Sequence, residues 1–198
     1  MVDTMLYVIG AVLVVGIVPC IPQCSNFLGK VGLSKVAAWS NTRRMLLGLC
    51  ILTFGGLMGS TWTMIIHSDL IATGATESCT SAGCGALIGD HQWNTMPIIG
   101  LEWGLVGVIA FTLFFFIALS LLMDFENNGW NRSWLDFGTL LSGAGLIPVA
   151  WLVSVELFLH DDAPIICPFC TLAHIAAVAS FVTFFLLRKQ HDGESWDA

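Results

Sequence analysis

Four stretches of this chain are apolar over lengths that a lipid bilayer demands: Met45–Ile66, Ile98–Met123, Leu135–Leu159 and Ile165–Leu187. The hydrocarbon core is crossed by about 20 apolar residues in helical form. An open strand there would leave backbone groups unpaired, so each stretch is predicted as a helix. A fifth stretch, Thr4–Ile21, is shorter and ends at Pro19 and Pro22. It lacks a positive leading region and carries Asp3 instead, so it reads as a retained span rather than a cleaved signal. A helix lying in the membrane surface is the alternative. The predicted fold is an all-α membrane protein: a four-helix transmembrane bundle plus one extra N-terminal transmembrane helix.

Composition closes off other classes. Charged residues make up 11% of the chain and hydrophobic ones 56%. Soluble domains average about 25% charged. Seven Lys and Arg stand against fourteen Asp and Glu, which leaves no basic footprint for nucleic acid. Residues 1–42 are assigned to the N-terminal helix and an interfacial segment, 43–189 to the bundle, and 190–198 to a tail. Within the first part, Leu28–Trp39 mixes apolar residues with Lys30 and Lys35 and reads as one short interfacial helix.

The positive charges are Lys30, Lys35, Arg43, Arg44, Arg132, Arg188 and Lys189. Counting the spans alternately places all seven on one side. The loops of the other side, Ser68–Pro97 and His160–Pro164, hold no Lys or Arg. Positive residues favour the cytoplasm. The expected arrangement is a multi-pass protein of the cell membrane, N-terminus outside and C-terminus cytoplasmic.

This topology sorts the seven cysteines. Cys79, Cys84, Cys167 and Cys170 fall on the outer side, where disulfides persist. Cys20 and Cys24 face the cytoplasmic end and Cys50 lies within a span; buried reduced thiols account for these three. The run Cys167-Pro168-Phe169-Cys170 opens the last span. Pro164 and Pro168 suit a helix start. Free backbone N–H groups and the helix dipole favour thiolate at that end. This reasoning makes Cys167 the more exposed attacking sulfur and Cys170 the deeper one. His174 continues the same helix face. A static disulfide is the structural alternative, although so small a ring stabilises little. A metal site using His174 and His160 is another. Cys79 and Cys84 sit in a small, polar stretch, Glu77–Gly85, suited to a mobile dithiol arm or to a loop-stabilising disulfide.

The cysteine order, with Cys79/Cys84 after the first core span and Cys167/Cys170 opening the last, resembles the vitamin K epoxide reductase family. Ile99–Gly107 is similar to the glycine-containing start of that family's second helix, and Ile166–His174 to its CxxC helix. The resemblance covers about 43–189. It departs at Leu101 and Glu102, where the family often has proline, and at His174, where some members carry a quinone-contacting tyrosine. It implies a thiol–disulfide oxidoreductase that passes electrons from a thioredoxin-like protein on the outer side, through Cys79/Cys84 and then Cys167/Cys170, to a membrane quinone of ubiquinone or menaquinone type. With the chain ending at Ala198, the thioredoxin-like partner is expected as a separate protein. His174, Asn94, Trp93 and Glu156 are the candidate quinone contacts, and His91 is a further candidate at the pocket cap. No metal is expected in the catalytic site. A non-catalytic membrane protein using the cysteines as ligands is the competing class.

Overall fold

The structure is a computed structural model and describes residues 2–74, 84–124, 128–193 and 196. Its longest element is α4, Asn41–Thr73. The hydroxyl of Ser40 accepts the Arg43 N–H at 3.3 Å and so caps its start. Gly74 ends it with φ +70°, a left-handed residue that costs glycine little. The sequence predicts a helix over Met45–Ile66 only. Polar residues at His67, Ser68 and Asp69 suggest a loop, but no helix breaker intervenes before Gly74, and the helix runs on.

Two long helices, α7 (Trp103–Met123) and α9 (Pro168–Asp192), pack antiparallel on α4, and a third, α8 (Asn128–Ser154), packs antiparallel on α9. A π-helical turn, Val155–Leu159, extends α8. Among the described residues four elements are long and apolar enough to cross a membrane: Asn41–Thr73, Trp103–Met123, Gly129–Leu159 and Pro168–Asp192. The N-terminal helix α1, Val2–Cys20, joins a short segment bent away from it by 97° and adds a fifth when the pair is taken together. Apart from one isolated bridge, Thr95 to Glu102, no β-structure occurs among the described residues. The expected class, a helical membrane bundle with an extra N-terminal helix, is the one observed.

Small residues set how closely the helices approach, as is usual in lipid. A Cβ on Gly104 of α7 would lie 2.9 Å from the Met64 backbone nitrogen of α4, and one on Gly16 of α1 would lie 2.9 Å from the Leu52 nitrogen. The helix α1 is thereby packed into the bundle along α4, with Gly16 at Leu52 and Cys20 against Gly48. Ile9 and Leu13 of α1 join a continuous buried core with Leu49, Phe114, Phe169 and Phe184.

Three expected boundaries are corrected. Leu28–Trp39 is not one helix: α2 (Ser25–Lys30) and α3 (Ser34–Ala37) are separated by a turn in which Gly32 has φ +87°. The second core helix starts at Trp103 rather than Ile98. Before it, Met96–Leu101 form a tight reversal, with the Met96 N–H donating to the Leu101 carbonyl at 2.7 Å and Gly100 at φ +69°. The third core helix starts upstream of Leu135, at Asn128. Two short helices, α5 (Cys84–Gly89) and α6 (His91–Asn94), lie between α4 and α7 and roof one end of the bundle.

Candidate active site

The last long helix begins as its sequence suggests. Cys167 is the N-cap of α9 and Pro168 its first residue. The Cys167 sulfur accepts the Cys170 N–H at 3.3 Å, and the Thr171 hydroxyl donates to the Cys167 carbonyl at 2.9 Å. The two sulfurs lie 2.6 Å apart, and both thiols are free. Their exposure reverses the expectation. Cys167 is fully buried, whereas Cys170 is half-buried and opens on a cavity. An N-cap side chain folds back over the first turn of its own helix to receive amide hydrogens, and that places Cys167 under the preceding segment instead of towards water.

The cavity has a volume of about 490 Å³. Its walls are mainly apolar and come from α4, the α5–α6 roof, α7, α8 and α9. Cys170, Ala173, His174 and Ala177 line it from one face of α9. Trp93 and Asn94 close it from α6, and Glu156 reaches it from the π-helical turn. The four predicted contacts, His174, Asn94, Trp93 and Glu156, therefore meet around one space with Cys170. The exposed His91 is not part of the lining.

Glu156 is buried, with 7% exposure. Its carboxylate accepts a hydrogen bond from the Cys167 backbone N–H. It is thus tied to the CxxC segment rather than reaching into water. π-Helical turns of this kind recur at functional sites.

The roof is fastened through His67, which the sequence does not mark, and through an indole contact. Buried His67, near the end of α4, places Nδ1 2.8 Å from the Ile88 carbonyl and 2.9 Å from the Asn94 amide nitrogen. Its Nε2 lies 3.2 Å from the Glu102 carboxylate. Burial pushes the Glu102 carboxyl above its ordinary value, and the neighbouring His67 pulls it partly back. The Trp103 indole donates to the Trp93 carbonyl at 3.2 Å, and Trp93 packs on Trp151 with ring centroids 6.3 Å apart. His67 falls between the predicted span and the predicted loop, and only its partners, distant in sequence, give it a role.

Cys84 opens α5, is buried and is disulfide-bonded. Cys79 lies outside the described residues. Cys84 and Cys167 belong to the same continuous buried core. Among the described residues no three His, Cys, Asp or Glu side chains gather closely enough to hold a metal ion.

Two comparisons, with curated proteins and with solved structures, returned no match. The sequence model of the vitamin K epoxide reductase family matches residues 44–185. That range takes in α4, the roof, the cavity and the CxxC helix together. With helices fit to span a membrane, a dithiol at a helix head and a family match over most of its length, the chain belongs to the vitamin K epoxide reductase family of disulfide-forming membrane oxidoreductases.

Proposed function

We propose that this protein oxidises the dithiol of a thioredoxin-like protein outside the cytoplasm and delivers the electrons to a membrane quinone. The observation that carries this reading is the opening of the Cys170 sulfur onto an apolar cavity with the Cys167 sulfur 2.6 Å behind it. The cavity suits a quinone ring: about 490 Å³ is within the range of small-molecule sites, and its apolar walls carry a few polar groups. His174 and Asn94 are the hydrogen-bond donors that would hold the ring oxygens, and Trp93 would cover its face. When bound, the quinone supplies an acceptor for two electrons and two protons.

The chain's own residues supply the path. Cys79 and Cys84 form the entry pair and exchange with the partner's dithiol. Each exchange passes through a mixed disulfide, so that one S–S bond breaks as another forms. The reduced entry pair then attacks the Cys167–Cys170 disulfide and is itself reoxidised. Cys84 opens the helix whose Leu87 and Ile88 line the same cavity as Cys170, which supports an exchange between the two pairs. Cys170 faces the acceptor, and Cys167 closes the disulfide again once the electron pair has left. The partner's two thiols yield two electrons and two protons, and quinol formation takes up the same number. Glu156, bound to the Cys167 N–H, holds the CxxC segment in place.

Residues 43–189 would carry this chemistry, with 1–42 packing beside it and 190–198 as a tail. The absence of Lys and Arg from 68–97 and 160–164 supports an outer location for the cysteine end, with the N-terminus outside, the C-terminus cytoplasmic and the cell membrane as host. The test is a coupled assay. Full-length protein in quinone-containing liposomes receives a reduced thioredoxin-like protein. Equal amounts of disulfide and quinol are expected; dithiol oxidation without quinol, or neither, overturns the reading.

A further inference from the structure

We propose that His67 and Glu102 are positioning residues for quinone, acting through Asn94 at the roof of the cavity; the inference rests on the quinone reading above. Asn94 lines the cavity, whereas His67 and Glu102 do not. Asn94 sits on a helix of only four residues, His91–Asn94, which cannot hold its own orientation. What holds it is long-range. His67 comes from α4 and Glu102 from the residue before α7, so the imidazole bridges two long helices and the roof at once.

The ring geometry also fixes the Asn94 amide. Its nitrogen lies 2.9 Å from Nδ1, and an NH₂ group carries two hydrogens, so one can turn to the ring while the other is left for a quinone oxygen. The Ile88 carbonyl, 2.8 Å from Nδ1, and the Glu102 carboxylate, 3.2 Å from Nε2, hold the imidazole plane, and with it the amide, in place. Among the described residues, Ile88, Asn94 and Glu102 are the groups within polar contact of the ring.

The experiment uses full-length protein in detergent, dithiothreitol as donor and a short-chain ubiquinone as acceptor. His67→Ala and Asn94→Ala are each expected to raise the quinone KM about tenfold with kcat little changed, the size of one hydrogen bond to ligand. The double variant should raise it no further, because His67 acts through Asn94. His67→Asn keeps a polar atom near the Nδ1 position and should recover most of the affinity; His67→Gln, which reaches only towards Glu102, should not. Additive KM effects, or loss confined to kcat, overturn the proposal while leaving quinone reduction intact. A parent protein that reduces no quinone overturns the function reading itself. Hydrogen exchange over 84–94 reads the tether without any turnover: His67→Ala should speed it, and unchanged exchange overturns the proposal.

Discussion

The carboxylate of Glu156, in the π-helical turn after α8, accepts a hydrogen bond from the backbone N–H of Cys167 at the head of α9. One buried acid therefore links the helix that walls the cavity to the segment that carries the dithiol. Glu156→Ala leaves that N–H buried without an acceptor, which costs about 1–3 kcal/mol. Glu156→Gln keeps an acceptor and should cost less. Denaturation in detergent should rank the parent above the Gln variant and the Gln variant above Ala. Quinone turnover should follow the same order.

Cys170 and Cys167 differ in what they face, and their substitutions should differ too. Cys170→Ser removes the sulfur at the cavity, so quinol formation should drop about a thousandfold or more. Cys167 is then left with no resolving partner on its own helix. A mixed disulfide between Cys167 and the entry pair should accumulate and be found by mass spectrometry after alkylation. Its absence, with turnover retained, would contradict the assigned order of electron transfer.

Gly104 tests the packing that shapes the cavity. An added Cβ would lie 2.9 Å from the Met64 nitrogen and 3.1 Å from its Cα, and backbone on a long helix yields little. Gly104→Ala should push α7 off α4 and lower stability by about 1–3 kcal/mol. Because Gly104 also lines the cavity, the quinone KM should rise with it. A thermal midpoint equal to the parent's would show that the two helices can part freely.

Glu102 gives a pH signature. It holds its proton more firmly in the folded protein than in the unfolded chain, because burial outweighs the attraction of His67. Over the interval from the ordinary value of 4.5 to the raised folded value, the folded state binds more protons, so this group makes stability fall as pH rises. Glu102→Gln has no such proton to lose and should gain on the parent as pH rises above the ordinary value of 4.5. Midpoints measured across that range check the sign; a constant difference would refute it.

What the sequence disclosed, and what it withheld, follows the distance over which each signal acts. The spans were legible because lipid imposes a length and a composition on every one of them. The dithiol was legible because Cys167, Pro168 and Cys170 are local to one helix turn. Trp93, Asn94, Glu156 and His174, scattered along the sequence, are brought around one space with Cys170 by the fold alone. His67 was not legible, since its partners Ile88, Asn94 and Glu102 lie tens of residues further on and nothing in its immediate surroundings marks it. The burial of Cys167 was misjudged for a related reason: the dipole argument ranks acidity, whereas exposure depends on which way an N-cap side chain folds. Cys79 lies outside the described residues.

The length of α4 has one further consequence. At 33 residues the helix measures about 50 Å, against a hydrocarbon thickness of about 30 Å. It is a single rigid shaft whose lower part packs against α1 and whose upper part carries His67. Each residue along it turns the shaft by about 100°, so adding or removing one between Ser60 and His67 would swing the imidazole to another side. Residue register within that stretch is thus locked to the rotational phase between the lipid-embedded half and the lid, and gain or loss of a single residue there should turn His67 away from Asn94 and Glu102.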